Sequence, residues 1–245
     1  MFLTCNRPFL NFDDFIDVKS LLEIKPHFSA FIAKNLHLLK PTKLGSGNFL
    51  SPSIMGVNDF HSRLEQEQAG IADQDLKLTL EELYRNDLYG NYLMFEKDII
   101  AAPLTLLLRY SKNYEHKHLA SQAIALPHDQ SFGFFYKWLD QQNIFKEYGR
   151  VCMFVNYPGS SSPVHRDWAN TDQSNNDEFL WINFSERKRF FLYNPDSNEK
   201  TYITGHCNWF NTGNFHGSDP VEYACYTARV DGVFSDAFKA KAGMQ

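Results

Sequence analysis

The chain has 245 residues, a formal net charge of −5, 43% hydrophobic and 22% charged residues. That is enough for one sizeable core, and the acidic balance argues against a surface built to track a phosphate backbone, so a nucleic-acid partner is disfavoured. The most apolar run, residues 99–108, is too short to span a bilayer and contains Pro103, and the first residues carry no basic stretch followed by a long apolar run, so neither a membrane span nor a signal peptide is expected.

Residues 1–148 read as mostly helical. A helix is predicted over 13–23, with Phe15, Ile16, Leu21 and Leu22 among charges. Pro26 fits the first turn of a second helix, with Phe28, Phe31, Ile32 and Leu36 on one side, and Lys40-Pro41 ends it. Gly45-Ser46-Gly47 lacks the longer pattern of a phosphate cradle and reads as a turn. Leu76, Leu80, Leu83 and Tyr84 place a helix over 75–88. A longer aromatic helix is predicted over 132–147, carrying Phe134, Phe135, Trp138, Leu139 and Phe145, with Gly149 as its stop.

Residues 149–245 change period. Short β-branched and aromatic runs at 150–157, 179–184, 189–193, 200–204, 207–211 and 223–233 predict strands separated by turn-rich pieces. Ser185-Glu186-Arg187-Lys188 reads as the turn of a hairpin, with Arg187, Lys188 and Arg189 at a solvated tip. Many short strands at close spacing imply a barrel or jelly roll. The expected fold class is α+β: a double-stranded β-helix with N-terminal helices packed against it, the two textures forming one integrated domain. Cys5, Cys152, Cys207 and Cys225 form no CxxC pair and no zinc-finger spacing, which suits free thiols in a reducing, cytoplasmic compartment.

The chemistry concentrates in residues 157–167. An apolar strand runs into a turn that delivers His165 and Asp167, two apart and so on one side of an extended chain. His216 follows a later strand and precedes Gly217. Two histidines and one carboxylate make a facial triad, which leaves open positions on a non-haem iron(II). On the next strand Thr227 and Arg229 share a face, and a guanidinium can hold a carboxylate through two parallel hydrogen bonds. His116 and His118 lie on one side if extended, but no carboxylate follows at a convincing spacing, so they read as a polar surface segment. His206 reads as a core-edge or substrate-facing residue, or as a ligand in place of His216. The polar loop 168–177 is expected to cover a substrate or to be a plain loop.

Tyr157-Pro158-Gly159, His165-Arg166-Asp167, His216 and Arg229, in that order, resemble the Fe(II)/2-oxoglutarate-dependent oxygenases, in particular their prolyl-hydroxylase-like branch. The resemblance covers about residues 150–234. It implies Fe(II) held by His165, Asp167 and His216, with 2-oxoglutarate and O2 as cosubstrates. It further implies that Arg229 and Thr227 bind the distal carboxylate of 2-oxoglutarate, that Tyr157 contacts the cosubstrate, and that Trp181 and Asn183 face the same cavity. The implied reaction is hydroxylation of a C–H bond on a small molecule, such as a free amino acid, or on a protein side chain, with release of succinate and CO2. Related halogenases lack the carboxylate of the triad, so Asp167 points to hydroxylation. Arg229 lies thirteen residues beyond His216, further than the branch pattern, and Asp231 rather than serine stands two residues on. The alternatives are a cupin-type metalloenzyme that does without 2-oxoglutarate, and a non-enzymatic jelly-roll binding module.

Overall fold

The computed structural model describes residues 7–35, 38–41, 104–113, 116–156, 158–159, 161–165, 177–185 and 187–244. The helix predicted over 75–88 and the Gly45–Gly47 turn lie outside them. After a short strand β1 (Phe9–Asn11), one helix, α1 (Val18–Lys34), replaces the two expected. Asp17 caps it by accepting the Ser20 N–H at 3.1 Å. Pro26 lies inside this helix, where a proline costs about 3 kcal/mol. The buried stripe Leu21, Ile24, Phe28 and Ile32 runs straight past it, and Pro26 sits on the exposed side. Phe28 alone packs on Phe132, Phe135 and Phe184, with ring centroids 5.4, 5.3 and 4.7 Å away. Burial of that stripe offsets the lost hydrogen bond.

Strands β2 (Lys40–Pro41), β3 (Leu104–Ser111) and β4 (Ala123–Ala125) follow, then helix α2 (Gly133–Gln141). The aromatic helix stops six residues earlier than the expected 147. Asn143 turns the chain with φ 52°, and strand β5 (Phe145–Asn156) begins at once. Phe145 belongs to that strand rather than to the helix face, stacked on Phe234 with centroids 5.2 Å apart.

Strands β6 (Ser162–His165), β7 (Phe179–Asn183), β8 (Phe190–Asn194), β9 (Glu199–Tyr202), β10 (Cys207–Phe210), β11 (Phe215–Ser218) and β12 (Cys225–Phe234) complete the roll, and α3 (Asp236–Ala242) ends it. The larger sheet runs β1-β10-β7-β12-β5-β3-β2, with β4 on β3, and the smaller runs β6-β11-β8-β9. The two sheets form a double-stranded β-helix. Helices α1 and α2 cover the outer face of the larger sheet, where Val151, Met153, Leu180, Ile182, Ala228 and Val230 join one hydrophobic core with Phe28 and Phe135. The first 148 residues therefore supply four strands of the larger sheet as well as helices.

One difference from the sequence reading bears on function. Strands β7 and β8 are not a hairpin, because they belong to different sheets. The Ser185–Lys188 stretch crosses from one sheet to the other, and the turn is held by the Asn183 side chain, whose Oδ1 accepts the Ser185 N–H at 3.0 Å. Lys188, expected at a solvated tip, is only 8% exposed.

Where β5 enters the roll, a methyl on Gly149 would stand 2.3 Å from the Lys117 carbonyl oxygen and 2.7 Å from that of Leu119. Backbone on that side cannot yield cheaply. Gly149→Ala is expected to cost roughly 1–3 kcal/mol, read as a lower urea midpoint at unchanged slope. A midpoint equal to that of the parent chain would show that the 117–119 segment does not press on β5.

Candidate metal and cosubstrate site

The inner surfaces of the two sheets enclose the candidate site. Strand β6 ends on His165, and antiparallel β11 sets His216 directly opposite it. Their ring centroids are 4.4 Å apart. The Nδ1 of His216 lies 2.8 Å from the Asn214 carbonyl oxygen. A carbonyl only accepts, so Nδ1 carries the proton and Nε2 keeps its lone pair for a metal. Phe210 and Phe190 wall the His216 ring, with centroids 5.0 and 5.9 Å away. Asp167 and Tyr157 lie outside the described residues, and among the described residues no group of three or more potential ligands forms. The structure brings together two of the three expected ligands. The pair fits a metal that accepts imidazole donors.

Across the gap, the inner face of the larger sheet carries Trp181, Thr227 and Arg229. Trp181 meets Phe190 of the smaller sheet, centroids 5.3 Å apart, so its ring lies between the two sheets. Asn183 pairs with Thr227 in register, but its side chain is committed to the turn before Ser185.

Arg229 is placed differently from its expected role. Its Nε donates to Asp231 Oδ1 at 2.9 Å, its Nη2 is 3.6 Å from Asp177 Oδ2, and its guanidinium lies over the Phe179 ring at 4.1 Å. Asp231 is fully buried and also accepts from Arg150 Nε at 2.7 Å. Burial pushes the Asp231 carboxyl up, but Arg150 and then Arg229 outweigh it and hold the group at about 2. Since that value is below the ordinary 3.8, the stabilisation is present above about pH 4 and lost as pH falls through about 2. It amounts to about 2 kcal/mol. The stability gap between the parent chain and Asp231→Asn should therefore narrow on acidification from about pH 6 to about pH 2. Equal gaps at both ends of a denaturation series would sink this account.

The residue that the sequence reading missed is Lys188. Its Nζ donates to Asn156 Oδ1 at 2.8 Å and Thr227 Oγ1 at 3.3 Å, and lies 5.3 Å from the Trp181 ring centroid. No carboxylate partners it among the described residues, and burial lowers its pKa from 10.5 to about 8. A buried lysine is normally paired, so one that meets only neutral groups among the described residues is a feature to be explained. The signal was present in the sequence. Residues 188, 190 and 192 alternate in phase, and Phe190 and Leu192 are buried; Lys188 shares their inward side.

His206 sits at the core edge, its Nδ1 2.7 Å from the Asn183 carbonyl oxygen and its N–H on Asp13, away from a ligand role. His116 is exposed, and its ring lies 6.2 Å from that of His118. Cys152, Cys207 and Cys225 are free and buried. No described helix is long and apolar enough to cross a membrane.

No protein-family model matches the chain, and no curated protein does. The fold is similar to several solved structures. One is an oxidoreductase of the 2OG-Fe(II) oxygenase family from Burkholderia pseudomallei, at 13% identity over 54% of this chain and 68% of that one, TM-score 0.33. Another is a Trichoplax adhaerens prolyl hydroxylase in complex with a hypoxia inducible factor peptide fragment, at 10% identity over 80% and 98%, TM-score 0.36. A third is a Pseudomonas putida prolyl-4-hydroxylase, at 10% identity over 71% and 97%, TM-score 0.34. At these identities the likeness is one of fold, and the site's own residues carry its chemistry.

Proposed function

We propose that this chain is a non-haem Fe(II)- and 2-oxoglutarate-dependent dioxygenase that hydroxylates a C–H bond of a small molecule or a protein side chain. The observation that carries the reading is the combination, on the inner surfaces of the roll, of a cross-strand histidine pair and a buried lysine that meets no carboxylate among the described residues. His165, His216 and Asp167 would hold the metal. Lys188 would hold the distal carboxylate of the oxo acid, with Thr227 and Asn156 keeping the ammonium in place. Iron(II) and 2-oxoglutarate, when bound, supply the reduction of O2 that puts one oxygen atom into the substrate and yields succinate and CO2.

The protein's own part is binding, orientation and exclusion of water. Asn214 fixes the His216 tautomer. Phe190, Phe210 and Trp181 line the cavity with apolar surface and strengthen the attraction between Lys188 and a carboxylate by keeping water out. Arg229 is engaged by Asp231 and lies beside Asp177, and in this reading Lys188 takes the anchoring role expected of Arg229. Free buried thiols suit a reducing, cytoplasmic setting.

Anaerobic titration of the metal-free protein with Fe(II) and then 2-oxoglutarate tests this directly. The expected result is a weak visible charge-transfer band on addition of the oxo acid. Iron binding without that band would remove 2-oxoglutarate from the reading and leave a cupin-type metalloenzyme; no metal binding would remove the enzyme reading altogether.

A further inference from the structure

We infer that Trp181 sets the chain length of the oxo acid the site accepts, an inference that rests on the cosubstrate reading above. The indole neighbours groups at both ends of the site. On one side Lys188 Nζ lies 5.3 Å from its ring centroid. On the other side it meets Phe190 and Phe210, at 5.3 and 5.9 Å. Those are the two rings that wall His216. Phe154 of β5 closes a further side at 5.6 Å.

The indole has little room to yield. Trp181 is the central residue of β7, a strand buried along its whole length. It is paired on one side with Arg229 of β12 and on the other with Asn208 of β10, so its backbone is held from both edges. Packed interiors resist the insertion of even one methylene. A diacid anchored at Lys188 and reaching toward the histidine pair would run alongside the indole, so this ring would limit the span between carboxylate and oxo group. The five-carbon acid 2-oxoglutarate and its six-carbon homologue 2-oxoadipate differ by one methylene in that span. A rigid apolar wall discriminates one methylene by roughly 10- to 200-fold.

The test is anaerobic calorimetric titration of the Fe(II)-loaded protein with each acid, which reads binding without turnover. The parent chain should bind 2-oxoglutarate more tightly than 2-oxoadipate, by roughly 10- to 200-fold. Trp181→Phe keeps an aromatic ring against Phe154, Phe190 and Phe210 but removes half of the indole, and the ratio should fall by about tenfold or more. Trp181→Tyr serves the same purpose if the phenylalanine variant does not fold. A ratio unchanged in a folded variant, including equal weakening of both acids, overturns the role of Trp181 alone. Failure of 2-oxoglutarate to bind the parent chain overturns this inference together with the cosubstrate reading.

Discussion

Lys188→Met is expected to weaken 2-oxoglutarate binding by roughly 30- to 5,000-fold while leaving metal binding unchanged, and to raise the stability of the cosubstrate-free protein. The first effect is the loss of a buried ammonium opposite a carboxylate, a change worth about 2–5 kcal/mol. The second follows from the lysine's environment. Its folded pKa of about 8 lies below the ordinary 10.5 because burial disfavours the charge. At neutral pH the folded chain therefore carries a charge it would rather not bury, at a cost of about 3 kcal/mol. Methionine removes that cost and keeps the stem's packing, though it also gives up the hydrogen bonds to Asn156 and Thr227. The sign with pH is fixed by the same shift. Between about pH 8 and 10.5 the unfolded chain binds more protons than the folded one, so parent stability should rise over that range. The variant's should not share that rise. Cosubstrate affinity should move the opposite way, falling as pH climbs through about 8 and the empty site loses its charge. Cys225 is the other titratable group that acts on Lys188 among the described residues, and burial raises its thiol above the ordinary value. Denaturation midpoints and titration calorimetry across this range check both. A variant that binds 2-oxoglutarate like its parent would return the anchoring role to another cation.

How much of this was legible in the sequence depends on whether the deciding contact is local. The β-branched and aromatic content of the runs 179–184 and 223–233 is a property of each strand, and it marked the roll. The order His165, Asp167, His216 is likewise linear, and antiparallel pairing of β6 with β11 is what turns two of those positions into neighbours. Lys188 was misplaced because hairpin and crossover look alike over four polar residues. What decides between them is that β8 pairs with β11 and β9 instead of β7. That choice is made by remote strands. Pro26 misled for a related reason, since its helix is held by Phe132, Phe135 and Phe184 rather than by its own propensity. The period of two put Arg229 on the same face of β12 as Thr227. Its partner Asp231 was visible two residues on, on the same face, and marks Arg229 as a member of a buried ion-pair network.

The histidine pair should be separable from the lysine by experiment. His216→Ala is expected to reduce Fe(II) or Co(II) affinity by roughly 100-fold or more, above the 10- to 100-fold that loss of an outer partner costs a metal site. The physical reason is geometric. His165 and His216 come from neighbouring strands with rings 4.4 Å apart, so the fold has already met the entropy of bringing two donors together. Alanine at 216 leaves that preorganisation with one imidazole. A metal at a hundred times its dissociation constant stabilises the parent chain by about 2.7 kcal/mol, which appears as an upward shift of the melting temperature. The shift should vanish in His216→Ala and persist in Lys188→Met, because the lysine's hydrogen-bond partners are Asn156 and Thr227 of the larger sheet rather than the histidines. His165→Ala should match His216→Ala. If a histidine variant kept the full metal-induced shift, the metal would lie elsewhere, and the cross-strand pair would be no more than packing between Phe210 and Phe190.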